Sequence, residues 1–294
     1  RSPSCSCKTC RLTALVVSMV RKYEQLQLMV ALAVLGLSVA ALYGCYQSYI
    51  GVDIVASQQD MNLNQGMPGR VYSFFDNPNN FAEQLAMLLP LNLALFLNSR
   101  WRGKLLSLLS LGVGLVAIGA TYGRASWIGL AGAVLVFLAL LNWRWVPVFL
   151  LVGLAAIPFL PETIYNRILT IFSPADTSTA SRIPLYQAAL EVIRTSPVSG
   201  AGLGTAAVQD YISDFNLYHA EAPFVHAHNF YLQVWIEAGL LGFLGFVGSM
   251  LWNIKKAAHT VRHCAPSTAR TITCAGAAAL CGAMVCGLAD YLWN

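Results

Sequence analysis

Residues 105–141, LLSLLSLGVGLVAIGATYGRASWIGLAGAVLVFLALL, contain two long apolar runs separated by a single charged side chain. A membrane-spanning helix needs about 20 predominantly apolar residues. The runs Leu105–Tyr122 and Ala125–Leu141 approach that length, and only Gly123 and Arg124 lie between them. This stretch therefore predicts two membrane helices joined by a tight turn.

The rest of the chain repeats the pattern. Hydrophobic residues make up 57% of the 294 residues, charged residues only 11%, and the mean hydropathy is +0.59, whereas soluble domains carry about 25% charged residues.

The chain starts at Arg1 and stops just after an apolar run, so we expect a fragment of a longer protein. Seven spans are predicted, at Leu28–Gln47, Phe81–Asn98, Leu105–Tyr122, Ala125–Leu141, Trp143–Leu160, Phe230–Leu251 and Thr271–Leu288. The predicted fold class is all-α, a polytopic integral membrane protein with about seven transmembrane helices and one large, partly helical extracytoplasmic loop.

The basic residues predict how the chain is oriented. Positive charge concentrates in cytoplasmic loops, and the seven-span arrangement puts all five lysines on one side. The predicted organisation is a cytoplasmic segment 1–27, five helices in 28–160 with an outer loop 48–80, a large extracytoplasmic loop 161–229, and two helices in 230–294 with a cytoplasmic loop 252–270.

Arginine is the basic residue of the opposite side. Its planar guanidinium suits phosphate oxygens better than the point charge of lysine does. Salt bridges to the outer acidic residues are the alternative for each of them. Arg124 has no acidic residue nearby in sequence, which favours a ligand role. The outer arginines are Arg70, Arg124, Arg167, Arg182 and Arg194.

Two parts of the outer loops carry further signals. Residues 183–194 have apolar positions at helical spacing, and a second helix is predicted from Thr205 to Phe215 after a glycine-rich run, 200–204. That run is either a flexible turn or a backbone nest for an anion. In the earlier loop, Asn80 and Glu83 have the spacing of a helix capping box, and the alternative is that Glu83 forms a polar wall of an outward cavity.

Three of the five histidines, His219, His226 and His228, lie just before the sixth predicted span. Imidazole titrates near neutral pH, so an enzyme could place a base here at the boundary of water and lipid. Asn229 is a natural N-cap for the helix that follows. Glu237 lies about two turns into that helix, where it either orients a histidine or joins two helices.

The sequence predicts neither a metal nor another cofactor, because it lacks a carboxylate cluster of the kind that holds Mg²⁺ with phosphates. Cys5, Cys7 and Cys10 could bind a soft metal, but reduced thiols are the simpler interpretation because a fourth ligand is missing nearby. A basic run interleaved with aromatic residues is also missing, which argues against a nucleic-acid partner.

Several motifs, in order, resemble the O-antigen ligase and O-antigen polymerase superfamily. His228-Asn229, followed after nine residues by 239–242 (GLLG), is similar to its histidine signature. The run 69–73 (GRVYS) precedes Asn77-Pro78-Asn79, residues 121–125 (TYGRA) close a hairpin, and 287–290 (GLAD) come late. The resemblance covers most of the chain from Met67 onward.

The resemblance implies a membrane glycosyltransferase that polymerises or ligates surface polysaccharide on the outer face of the bacterial cytoplasmic membrane. The donor would be a lipid-linked oligosaccharide on undecaprenyl pyrophosphate, and the acceptor a glycan or a lipid. On matching positions, His228 would be the base, and Arg124 and Arg182 would hold pyrophosphate. The residues expected to contact substrate are Arg70, Asn77, Asn79, His226, Asn229, Tyr186 and Glu237.

Two features leave the function open. Ligases of this superfamily tend to carry leucine four residues after the loop arginine, whereas Arg182 is followed by Tyr186. The superfamily also includes cyanobacterial proteins named as bicarbonate transporters, which share residues 70–73 and 77–79 well. An inorganic-anion transporter is therefore the alternative function.

Overall fold

The computed structural model describes residues 22–55, 66–170, 181–220 and 223–291, together with Ser18 and Val20. Ten α-helices and one short 3₁₀ turn lie within these residues, and no strand occurs among them. The helices are α1 (Tyr23–Ile50), α2 (Pro78–Asn98), α3 (Trp101–Ala120), α4 (Arg124–Asn142), α5 (Trp145–Ala156), α6 (Glu162–Leu169), α7 (Arg182–Thr195), α8 (Thr205–Asp214), α9 (Phe230–His263) and α10 (Thr268–Cys286).

Six of these helices, α1–α4, α9 and α10, are long and apolar enough to cross a membrane. The chain is therefore an all-helical, multi-pass membrane protein, as its composition predicts. The tight turn between α3 and α4 is confirmed, because only residues 121–123 separate the two helices. The two helices predicted in the large loop are also confirmed, as α7 and α8.

The fifth predicted span is not one straight helix. Helix α5 has 12 residues, which at about 1.5 Å per residue is shorter than the hydrocarbon core of a bilayer, about 30 Å thick. It continues as the 3₁₀ turn Ile157–Phe159, and α6 then leaves at an angle of 118°. Pro158 and Pro161 explain the break, since proline lacks the N–H that an uninterrupted helix needs. The bent pair makes a seventh span only if both helices together cross the membrane.

Helix α9 is broken, whereas the sequence predicted a continuous span over its first 22 residues (Phe230–Leu251). Gly239 has φ 67° and ψ −174°, a conformation that is essentially restricted to glycine. The two halves fold back on each other so far that the rings of Phe230 and Phe246 lie 4.7 Å apart between centroids. The long part that remains for crossing the membrane is therefore 240–263.

The glycine-rich run 200–204 packs against this break. The N–H groups of Ala201 and Gly202 donate hydrogen bonds to the carbonyls of Ile236 and Glu237, at 2.6 and 3.2 Å. The N–H of Gly204 donates to the carboxylate of Glu237 at 3.0 Å. A nest for an external anion is therefore wrong for these amides, because they already satisfy backbone and side-chain groups of α9.

Helix α10 packs closely on α2 and α4 through small residues. A methyl group added at Gly129 of α4 would lie 2.3 Å from the Cys286 sulfur, and one at Gly282 would lie 3.0 Å from Ala133. Small residues allow membrane helices to approach each other closely. This approach brings the end of α10 beside the start of α4, where the candidate site lies.

The large loop 161–229, called the outer loop from here on, has its own apolar cluster, which is formed by α7, α8, residues 224–227 and the first half of α9. Its buried side chains include Val192, Val208, Ile212 and Ile236. The cluster fixes α7 and the histidine segment relative to the start of α9. Five described cysteines are free thiols, and Cys5, Cys7 and Cys10 lie outside the described residues.

Candidate active site

His228 lies at the junction of the outer loop and α9. Asn229 caps the helix, because its side-chain oxygen accepts hydrogen bonds from the N–H groups of Tyr231 and Leu232, both at 3.0 Å. The residue before the cap, His228, has φ 44°, which few residues other than glycine adopt. The hydroxyl of Tyr186 donates to the His228 carbonyl at 3.3 Å. The cap and Tyr186 together hold the histidine in this conformation.

The imidazole of His228 meets a buried carboxylate. Its Nδ1 lies 2.9 Å from Oδ1 of Asp290. Asp290 follows α10, and the N–H of Phe230 donates to the carbonyl of Gly287 at 2.8 Å. That bond ties the start of α9 to the end of α10, so the two side chains are brought together from opposite ends of two helices.

Asp290 is only 7% exposed and keeps its charge. Burial alone would raise the pKa of its carboxyl, but the imidazole of His226, 3.8 Å away, and the hydrogen-bonded imidazole of His228 outweigh burial and hold that pKa well below its usual range. Asn79 also donates to Oδ2 at 2.6 Å. An ionised carboxylate can only accept hydrogen bonds, so Nδ1 of His228 donates to Asp290, and in the neutral form of the ring Nε2 is the acceptor. The His228 side chain is 32% exposed.

A cavity of about 150 Å³ lies on the other side of Asp290. It collects four of the five outer arginines, which come from four different parts of the chain. The arginines that line it are Arg70, Arg124, Arg167 and Arg182, and the other lining residues include Asn79, Glu83, Tyr122, Ser126 and Asp290. The fifth outer arginine, Arg194, is instead paired with Glu191 on the surface.

The chain itself holds the guanidinium groups of Arg70 and Arg124 in place. Arg70 is 8% exposed; its Nε donates to the Thr121 carbonyl at 2.6 Å, and its Nη2 donates to Asn79. Arg124 donates to the Thr170 carbonyl at 2.7 Å. Burial, together with repulsion from Arg167, lowers the pKa of Arg70 to about 9, although Asp290 acts in the opposite direction. The cavity is thus strongly cationic, and an anion bound in it would relieve the repulsion.

Glu83 is a further residue of the cavity. It is 2% exposed, and the structure gives it no hydrogen bond or ion pair with any described residue. The predicted capping box is wrong, because α2 begins at Pro78 and its N-cap is Asn77. Glu83 therefore lies a turn inside the helix, and the alternative prediction of a polar cavity wall describes its position.

The structure divides the residues predicted from sequence into three groups. Four of them line the arginine cavity, three form a group at His228, and three have structural contacts instead. The cavity group is Arg70, Asn79, Arg124 and Arg182, and the histidine group is His228, His226 and Tyr186. The structural group is Asn77 and Asn229, which cap helices, and Glu237, which accepts hydrogen bonds from Gly204, Gln233 and Tyr291 rather than orienting a histidine.

Asp290, Arg167 and Glu83 were not among the site residues predicted from the sequence. Asp290 was present in the late motif 287–290, and as a carboxylate beside an apolar run it carried a signal, since such groups are costly in membranes. Its partner could not be chosen from sequence, because 62 positions separate it from His228.

The described residues also contain one group with the spacing of metal ligands. Ligand atoms of His226, His228 and Asp290 lie within 4.8 Å of one another. The same atoms of His228 and Asp290 already share a hydrogen bond at 2.9 Å. The arrangement is thus that of an imidazole oriented by a carboxylate, and a metal would compete with that bond.

Comparison with protein families gives a match over the middle of the chain. Residues 109–247 match the O-antigen ligase family. The match covers just under half of the chain and supports a relationship to the O-antigen ligase superfamily. The matched region contains Arg124, Arg167, Arg182 and His228, whereas Arg70, Asn79 and Asp290 lie outside it. No curated protein matches the chain.

This similarity supports a membrane glycan ligase or polymerase in general. It gives no support to the alternative function, an inorganic-anion transporter.

Proposed function

We propose that the protein is a glycosyltransferase that transfers a glycan from undecaprenyl pyrophosphate to an acceptor hydroxyl on the outer face of the bacterial cytoplasmic membrane. The observation that carries the proposal is the His228–Asp290 pair directly beside a cavity with four arginines. A base for the acceptor and a cationic site for the leaving group are the two requirements of this reaction.

The cavity fits the pyrophosphate of the donor. Arginine binds phosphate oxygens with paired hydrogen bonds. Four guanidinium groups carry enough positive charge to balance two phosphate groups rather than one. The cavity lies at the ends of α2, α3 and α4, which are membrane-spanning helices. A lipid-linked donor could therefore place its head group among the arginines while its chain stays in the bilayer.

In the proposed reaction the oxygen of the acceptor hydroxyl attacks the anomeric carbon of the donor sugar. The bond between that carbon and the pyrophosphate oxygen breaks, and undecaprenyl pyrophosphate leaves with the bonding electrons. The hydroxyl proton goes to Nε2 of His228, and Asp290 stabilises the resulting imidazolium. Arginines that are already in place stabilise the charge that grows on the leaving group. A direct attack of this kind inverts the configuration at the anomeric carbon.

The test is glycan transfer by the purified protein in lipid, with the lipid-linked donor and the acceptor of its source organism. His228→Ala should lower the rate by about 10²–10⁴-fold, the usual contribution of a general base. His259→Ala is the matched control, because His259 is exposed near the far end of α9. Full activity of His228→Ala would exclude the proposed base, and donor-independent anion uptake into vesicles would favour the transporter instead.

A further inference from the structure

A second cavity lies on the outer loop, away from the arginines. It measures about 480 Å³ and lies between α7 and the segment 216–220. Its size falls in the range of about 300–1,000 Å³ that is typical of ligand sites. The residues used in the argument below are Gln187, Glu191, Asn216, Tyr218 and His219, and we call this cavity the outer groove.

The outer groove offers hydrogen-bonding side chains that the chain itself does not use. The side chains of Gln187, Asn216 and His219 are exposed and form no hydrogen bond with any described residue. Amide and imidazole groups can donate and accept at the same time. Sugar hydroxyls do the same, so these side chains match the edges of a sugar ring.

The groove also has an apolar surface, to which Pro184, Ala188, Leu217 and Tyr218 contribute. The ring of Tyr218 packs edge-on against Phe224, with centroids 5.7 Å apart, which holds it in position. An aromatic ring of this kind offers apolar area together with a hydroxyl. The C–H face of a sugar is the complementary surface.

Charge distinguishes the two cavities. Four arginines line the first cavity, whereas no lysine or arginine is among the described residues that line the outer groove. Its single acidic residue, Glu191, is already paired with Arg194. The groove therefore suits an uncharged, hydroxyl-rich ligand and is unsuited to a phosphate.

Helix α7 connects the outer groove to the candidate active site. Arg182 lines the arginine cavity, Tyr186 bonds to His228, and Gln187 and Glu191 line the groove. The distance from Arg182 to Glu191 along the helix axis is about 14 Å, at 1.5 Å per residue. A chain of sugars with one hydroxyl at His228 could thus extend along α7 into the groove.

We propose that the outer groove binds the acceptor glycan, an uncharged oligosaccharide whose reacting hydroxyl lies at His228. The inference rests on the proposed function. The acceptor is the expected occupant because the base acts on the acceptor, while the arginines hold the head group of the donor. The groove then selects the acceptor by its sugars beyond the reacting one.

The kinetic test uses Gln187→Ala and His219→Ala, two exposed positions where the loss of the side chain should not disturb folding. Loss of a neutral hydrogen bond should raise the acceptor KM by roughly 2–10-fold in each variant, with the donor KM unchanged. Asp210→Ala is the control, since Asp210 is exposed on α8 and does not line the groove. Unchanged acceptor KM values, or an increase in the donor KM alone, would overturn the proposal.

A binding test separates this proposal from the proposed function. The probe is a lipid-free oligosaccharide released from the surface polysaccharide of the source organism, observed by saturation-transfer NMR with the full-length chain in micelles. We expect binding to the His228→Ala protein, and at least a fivefold weaker signal when Gln187→Ala and His219→Ala are added. Equal binding with and without the groove changes would overturn the groove even if transfer is observed. Groove-dependent binding without any transfer by the wild type would instead overturn the proposed reaction alone.

Discussion

Asp290 accepts hydrogen bonds from two directions within the candidate site. On one side it holds Nδ1 of His228, and on the other it accepts from Asn79, which in turn accepts from Arg70. This chain of contacts joins the proposed base to the cationic cavity. Because the carboxylate is buried and ionised, it fixes which nitrogen of His228 carries the proton. The proposed roles of His228 and Arg70 therefore both depend on Asp290.

Asp290→Asn should abolish the orientation of His228, although the new side chain has nearly the same shape as the old one. An amide can donate to Nδ1 and so favour the tautomer in which Nε2 carries the proton and cannot act as a base. We expect kcat to fall by about 10²–10⁴-fold with little change in the donor KM, measured as initial transfer rates. Asp214→Asn, at an exposed position at the end of α8, should behave as the wild type. A variant Asp290→Asn with wild-type kcat would contradict the positioning role.

Inorganic pyrophosphate should stabilise the protein, because it would relieve the repulsion among the arginines of the cavity. A ligand at 100 times its Kd stabilises the folded state by about 2.7 kcal/mol, which a thermal unfolding scan in detergent would detect. Arg182→Ala should require a higher pyrophosphate concentration for the same shift. Arg194→Ala on the same helix, exposed and outside the cavity, is the control. An equal response of Arg182→Ala and wild type would argue against an anion site in this cavity.

At the scale of elements, the break in α9 shapes the outer part of the site. The N–H of Leu240 donates to the Pro197 carbonyl at 3.0 Å, and the carbonyls of Ile236 and Glu237 accept from the glycine-rich run. The loop thus supplies the hydrogen bonds that the break removes, as unwound backbone at a membrane requires. The short first half of α9, Phe230 to Ala238, can then remain beside the outer loop, with His228 at its start.

Gly239→Ala should destabilise the protein by about 3 kcal/mol or more, in the range of severe backbone and packing defects. The added Cβ would lie 1.8 Å from the Val198 carbonyl oxygen, and the backbone conformation at Gly239 excludes other residues. Gly245→Ala is the matched control in the same helix, because nothing lies within 4 Å of its added Cβ. The two thermal midpoints should differ by several degrees, and equal midpoints would mean that the break is not required.

At the scale of the whole molecule, the candidate site lies where one set of helix ends meets the outer loop. The start of α2, the turn between α3 and α4, the start of α9 and the end of α10 all contribute. The basic residues at 100–104, at 144 and at 255–270 lie at the opposite helix ends. From the positive-inside rule we propose that the site lies on the outer face.

Labelling of intact cells with a membrane-impermeant maleimide should confirm this orientation. In a background without the other cysteines, Val198→Cys on the outer loop should be labelled, since Val198 is 59% exposed. Cys264, which is exposed after α9, should be labelled only after the cells are opened. Labelling of Cys264 in intact cells, with Val198→Cys protected, would reverse the proposed topology and move the site to the cytoplasm.

Much of this protein follows from the sequence alone. Apolar runs of membrane length, such as 105–122 and 125–141, determine helices because a backbone in lipid must satisfy its own hydrogen bonds. Local signals were also enough to predict that Asn229 caps a helix and that α7 forms. They also marked the outer arginines as an unusual set. The tertiary structure alone decided which of those arginines converge, that α9 breaks at Gly239, and that Asp290 is the partner of His228. These three features depend on close approach between segments that are distant in sequence. The packing of α10 on α4 and the bond between α9 and α10 leave no periodic pattern in the sequence from which they could be predicted.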